Sequence, residues 1–419
     1  MKKKLLPALI VTGLIILVVI IMGITALINK YTPTKKTEDL KEYFNISSDD
    51  EAALIVDNEL SDYKAKIIDK KIYVDYKFVH DSLNSRFYWD ANENVLLYTT
   101  ASDIISAAAD SNSYSVTKQT NDFGYPIVKA TSDSALIALD YVKQYSNITF
   151  KSYDDPARIV ITSKWDEIDS ATVSKSTQVR VKGGIKSPIL KEVKKDDKIT
   201  ILDSGDKWDK VATEDGVIGY IKRKALSESK KTKLTNPDYE EETFTHIKKD
   251  KDICLAWNQV TSQSANSKVP QVISSTKGIN VMSPTWFYLN DNNGNLADIA
   301  SKDYVSYCHS QGIEVWGLFS NFENTDVDAA YVLTHTSTRT TLINQIMSAA
   351  FNYELDGVNI DFENITEAAY GDSYIEFIRE LAIKCHNNGI SLSVDVTVPA
   401  SFNKFFNRSD MANFADYIV

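Results

Sequence analysis

The stretch Leu355-Asp356-Gly357-Val358-Asn359-Ile360-Asp361-Phe362-Glu363-Asn364 alternates apolar and polar residues, which is the period of a strand. Gly357, Asn359, Asp361 and Glu363 therefore share one face, and Val358, Ile360 and Phe362 the other. Helical patterns flank the stretch, at 340–353 before it and 372–388 after it, which suits a parallel strand whose apolar face is covered by helices. In a closed barrel of such units the other face looks inward, and active sites sit at the C-terminal ends of the strands. Two carboxylates and an amide then converge there, with Glu363 at the exit. Asp356 lies at the opposite parity and opens the strand, so its expected role is structural hydrogen bonding.

Further strand candidates lie at 253–257, 279–283, 313–319, 391–398 and 415–419, with helical segments between them. Gly312 and Gly389 each stand just before a strand, where a helix C-terminus wants glycine. The expected fold of 250–419 is thus an α/β (β/α)8 TIM barrel with about six of its eight strands present. A barrel of this kind needs about 250 residues, so the chain reads as a truncated one.

The 356–363 stretch resembles the Asp-Gly-x-Asp-x-Asp-x-Glu signature of glycoside hydrolase family 18, the chitinase family, at every position but one: Asn359 replaces the middle Asp. The resemblance implies a substrate-assisted retaining mechanism without a carboxylate nucleophile. Glu363 would be the acid, and Asp361 would hold the substrate's acetamido N–H. Asn359 would imitate a permanently protonated aspartate, donating an amide hydrogen to Asp361. Where many chitinases carry Ser-x-Gly-Gly, this chain has Trp316-Gly317-Leu318-Phe319-Ser320-Asn321. With Leu255-Ala256-Trp257 and Ser283-Pro284-Thr285-Trp286-Phe287 it resembles the subgroup acting on bacterial cell walls, including spore-cortex N-acetylglucosaminidases. Trp257, Trp286 and Trp316 are candidate sugar platforms, with core packing the alternative for each. The family's Met-x-Tyr-Asp segment would follow Val419.

From Leu5 to Ile28 no charged residue appears, a run long enough to span a bilayer. Lys2-Lys3-Lys4 before it favour a cytoplasmic N-terminus, giving a cytoplasmic tail (1–4), a transmembrane anchor (5–28) and an extracellular remainder. A cleaved signal ending near Ala26 is the alternative. Residues 29–50 and 229–249 read as polar linkers. Residues 51–165 contain an echo: Trp89-Asp90 precedes Val95-Leu96-Leu97-Tyr98-Thr99 by a four-residue spacer, and Tyr153-Asp154 precedes Ile159-Val160-Ile161-Thr162-Ser163 by the same spacer. A duplicated α+β unit is expected, similar to the stalk domain of the copper amine oxidase N-terminal type, with a spacer role and no copper. Residues 176–228 offer five short strand candidates and resemble bacterial SH3 domains, which implies binding to peptidoglycan or its peptide.

The net charge of -11 argues against nucleic acid as a partner. Cys254, Cys308 and Cys385 have no metal-ligand spacing, and the five histidines are scattered, so neither metal nor cofactor is expected. The leading expectation is a membrane-anchored glycosidase cleaving N-acetylglucosamine linkages in peptidoglycan. A chitinase and a non-catalytic wall glycan-binding protein are the alternatives.

Overall fold

The computed structural model describes residues 2–365, 368–403 and 407–419; Met1, part of the expected cytoplasmic tail, lies outside them. The chain divides into two compact units, Met1–Tyr73 with Tyr145–Tyr239, and Val74–Gln144 with Glu240–Val419. The expected 51–165 segment is thereby shared between them.

The first unit begins with helix α1 (Lys2–Tyr31). Its stretch Leu9–Tyr31 is 23 residues long with mean hydropathy 2.9, long and apolar enough to cross a membrane. The unit also holds an antiparallel sheet built on five strands of the 176–228 segment: Thr177–Arg180, Ile189–Val193, Lys198–Asp203, Trp208–Thr213 and Ile218–Lys222. Two further strands extend it, Glu167–Thr172 and Lys230–Lys233. The last corrects part of the expected 229–249 linker. Its lysines suit an edge strand, where they stay in water and discourage further pairing, while Thr232 turns to Ser170 at 2.7 Å.

The second unit carries six parallel strands in the order β1 (Leu255–Asn258), β2 (Val281–Leu289), β3 (Glu314–Ser320), β4 (Gly357–Asp361), β5 (Ser391–Val394) and β6 (Tyr417–Ile418). They form a curled parallel half-barrel. Three helices precede or follow the central strands: α2 (Lys302–Ser310), α3 (Thr336–Tyr353) and α4 (Ala368–His386). Met282, Val315, Val358, Ile360 and Leu392 bury their outward faces in one core with Leu342, Ile346, Phe377 and Leu381 of α3 and α4. Gly312 and Gly389 follow the ends of α2 and α4 at φ 72° and 70°, the left-handed geometry expected there.

A repeated device sets the strand starts. Asp356 accepts the Val315 N–H at 2.8 Å and lies 2.8 Å from His309 Nε2. Asp416 accepts the Leu392 N–H at 2.8 Å and lies 3.1 Å from His386 Nε2. In both cases a histidine closes a helix, the strand begins a few residues on, and the aspartate opening the next strand ties the two together. The carboxylate satisfies a strand-edge N–H that would otherwise stay unpaired.

Gly357 faces the indole of Trp316, which would stand 2.7 Å from any Cβ built there. Gly357→Ala is therefore expected to cost about 1–3 kcal/mol through overpacking. Urea unfolding monitored by tryptophan fluorescence checks it; an unchanged midpoint would show that the indole can move aside.

The Val74–Gln144 part of this unit contributes an antiparallel meander running from Phe87–Asp90 through Val95–Thr99, Ile104–Ala108 and Ser113–Val116 to Gln119–Asp122. The Trp-Asp hairpin seen in the sequence has a structural task here. Helix α3 has no side-chain cap of its own and no acid in its first turn. Asp90, 1% exposed, supplies the cap, accepting the Thr336 N–H at 2.7 Å and its hydroxyl at 2.6 Å. Tyr88 and Thr99 of the same hairpin meet Ser373 and Glu376 of α4, each at 2.8 Å.

Candidate active site

A cavity of about 690 Å³ opens at the C-terminal ends of the parallel strands. Asp361 and Glu363, which the sequence pattern places on one face, both line it, together with Trp257, Asp395 and Tyr374. Strand β4 ends at Asp361, so Glu363 stands two residues beyond it, on an exposed turn. That turn is held in place by Asn321, whose amide oxygen accepts the Glu363 N–H at 2.8 Å and whose amide nitrogen donates to the Glu363 carbonyl at 2.9 Å. The grip fixes the backbone and leaves the carboxyl free to face the cavity.

Asn359 is fully buried beneath Asp361. Its amide oxygen accepts the Trp257 indole N–H at 3.1 Å and the Ser283 hydroxyl at 3.0 Å. Its amide nitrogen donates to Asp395 at 2.9 Å and to Ser393 at 3.3 Å. Both amide hydrogens are thus engaged on β5 and beyond it, and the expected donation to Asp361 is not made. The reason is register: Asn359 pairs with Ser393 across the β4–β5 ladder, so its side chain leans to the neighbouring strand.

The three tryptophans separate. Trp257 is 54% exposed and lines the cavity with its N–H pinned by Asn359, which leaves a ring face open to the cavity. Trp286 is 0% exposed; it donates to Asn266 at 2.8 Å and packs edge-on against Tyr304 of α2. It shares the outward parity of Met282 and Pro284, so packing, the alternative role, is what its burial allows. Trp316 points inward but is also 0% exposed, lying over Gly357, near Tyr417, with its N–H on Glu314 at 3.1 Å. Both are corrected from platforms to core. Asp356 stays at the opposite end of β4 from the cavity, in the tie to Val315 and His309.

Three residues of the site were not picked out from sequence. Asp395 continues the alternation Ser391, Ser393, Asp395 along β5, a signal of the kind that marked β4. Glu323 follows β3, takes a hydrogen bond from Ser320 at 2.5 Å and faces Asp361 electrostatically. Tyr374 projects from α4 and stacks with Phe362 and Phe377, a tertiary arrangement with no local pattern.

Burial, then the charges of Glu363 and Glu323, pushes the Asp361 carboxyl up to about 6. Burial also pushes Asp395 up to about 6; the Asn359 hydrogen bond opposes the rise and the charge of Asp361 adds to it. Burial, with Asp395 and Asp361 adding, pushes the Tyr374 phenol well above its ordinary value, so it stays protonated. The site therefore gathers carboxyl groups that exchange protons near neutrality beside an aromatic face, equipment for general acid–base work on a polar substrate. Among the described residues, no group of three or more His, Cys, Asp or Glu side chains is placed to hold a metal ion.

No family model matches the chain, and no curated protein matches it. Among solved structures, a chitinase of Chromobacterium violaceum is similar at 18% identity and TM-score 0.34, over 40% of this chain and 54% of that one. A class V chitininase of Pseudomonas fluorescens is similar at 15% identity and TM-score 0.35, over 40% and 52%. The Bacillus megaterium spore cortex-lytic enzyme SleL is similar at 16% identity and TM-score 0.33, over 39% and 40%. The chain thus spans about half or less of the length of these structures.

Proposed function

We propose that the second unit is a glycoside hydrolase cleaving the bond that follows an N-acetylglucosamine unit in bacterial wall glycan. The observation that carries this reading is the convergence of Asp361 and Glu363 on one cavity at the C-terminal ends of parallel strands, with Trp257 exposed beside them. In the reaction, Glu363 delivers a proton to the leaving oxygen while the acetamido oxygen of the substrate attacks the anomeric carbon. Asp361, as a carboxylate, accepts the acetamido N–H and stabilises the positive charge that develops on the resulting ring. Glu363, now ionised, takes a proton from water, which opens the intermediate with net retention. Trp257 offers the floor on which the sugar stacks.

A TIM barrel of family 18 type, to which the six parallel strands of 250–419 would belong, is the fold this reading takes. Around it, helix α1 would anchor the chain with its bulk outside the cell, and 176–228 would dock on wall peptide as a bacterial SH3 domain. Residues 51–165 would serve as a stalk. The test is a digest of purified peptidoglycan and of chitin by the intact protein in detergent, with products separated and their reducing ends identified. N-acetylglucosamine ends from peptidoglycan are expected. Release from chitin alone would favour the chitinase, and binding without any release the non-catalytic alternative.

A further inference from the structure

Asp395 belongs to no motif, yet it occupies a distinctive place. Its N–H donates to the Ile360 carbonyl at 2.9 Å, extending the β4–β5 ladder in which Ile360 pairs with Val394. Asp361 and Asp395 are consequently the next neighbours in register on adjacent parallel strands, and both line the cavity. Asn359, one pair lower, donates to Asp395 at 2.9 Å and holds it in place. The carboxylate that the signature would have put at 359 is thus found on the next strand, tethered by the amide that replaced it.

We infer that Asp395 is the positioning residue for Asp361, the two carboxyl groups holding one proton between them across the β4–β5 pair. The role assigned to Asp361 rests on the glycosidase reading; the proton sharing does not. Two half-buried carboxyls side by side cannot both ionise cheaply, so they titrate as a pair. The groups facing them fit that arrangement. Glu363 and Glu323 add negative charge beside Asp361, and the phenol of Tyr374 faces both carboxyls from α4. Asn359 donates to Asp395, while the Trp257 indole N–H donates to the amide oxygen of Asn359. Arg408 also lines the cavity, its guanidinium donating to the carbonyls of Asn403 and Thr397 at 3.3 and 3.1 Å. The Asn359 hydrogen bond opposes the rise of Asp395 and the charge of Asp361 adds to it, so the pH at which Asp361 becomes an acceptor depends on its neighbour.

Both carboxyls sit at about 6 in the folded protein against 3.8 ordinarily. The folded state therefore binds more protons, and stability falls as pH rises from about 4 through about 6. Replacing either aspartate by asparagine relieves this cost above pH 6 and little of it below pH 4. The experiment is thermal unfolding of the intact protein in detergent, as wild type, Asp361→Asn, Asp395→Asn and the double variant. At pH 8 each single substitution is expected to raise the transition temperature, and the double to raise it by clearly less than the two gains together, since either one abolishes the repulsion. At pH 4 the gains should shrink. Gains that add at pH 8, or that do not vary with pH, would overturn the pair.

Activity supplies a separate arm. In Asp395→Asn the acidic limb of the pH–rate profile should move down by about one pH unit, with Asp395→Glu restoring it. An Asp395 with only a structural role would lower the rate equally at every pH and leave the limb in place, which would overturn the positioning role. Absence of product from the intact protein would remove the glycosidase reading, and the unfolding cycle would still decide the pair.

Discussion

If the second unit is the proposed glycosidase, Glu363→Gln is expected to lower turnover of N-acetylglucosamine-containing wall glycan by about three orders of magnitude, with KM little changed. Gln keeps the shape of the side chain and both its polar atoms, but it cannot deliver a proton. The turn that carries it is held through the backbone by Asn321, so the substitution removes chemistry without releasing the loop. Reducing-end release by the intact protein and its variant measures the effect, with the melting temperature as a control on folding. The neighbouring carboxyls Glu323 and Asp395 make the outcome informative. Retained activity in Glu363→Gln would move the acid to one of them, and Glu323→Gln and Asp395→Asn would then show which.

The second large effect concerns stability. Arg379, 3% exposed, is paired with Glu376 at 2.9 Å and with Asp410, and also donates to the Ser85 carbonyl at 3.3 Å. Arg339, 0% exposed, pairs with Glu380 at 2.8 Å, donates to the Leu333 carbonyl at 2.6 Å and lies 5.0 Å above the Tyr88 ring. Removing one arginine strands acids in the interior, so Arg379→Leu or Arg339→Leu should cost about 3–5 kcal/mol. An exposed ion pair such as Lys231–Asp169 is expected to contribute at most about 1 kcal/mol. Denaturant unfolding measures both. Arg339→Leu with Glu380→Leu should cost less than Arg339→Leu alone, because the double change leaves fewer unpaired charges buried. A double variant as unstable as the single one would show that the network's other members, Thr336 and Tyr88, carry the energy instead.

These two clusters differ in how visible they were in the chain. The alternation through 355–364 put Asp361 and Glu363 on one face because a strand has only two faces, and six apolar runs separated by helical spacings announced the parallel sheet. Gly312 and Gly389 marked helix ends because few other residues accept that backbone geometry. Such features are local: their physics is contained within a few residues of sequence.

What depends on register and on distant partners came only with the tertiary structure. Whether the Asn359 amide met Asp361 or Asp395 was decided by how β4 lies against β5. Trp286 and Trp316 went to the core because one faces the helices and the other sits over the gap left by Gly357, whereas Trp257 was left at the open end. Asp90 became the cap of a helix beginning at Thr336, far along the chain, because α3 carries none of its own. Sequence determined which groups could share a strand face; packing between strands and helices determined which of them meet, since hydrogen bonds and desolvation act between neighbours in space.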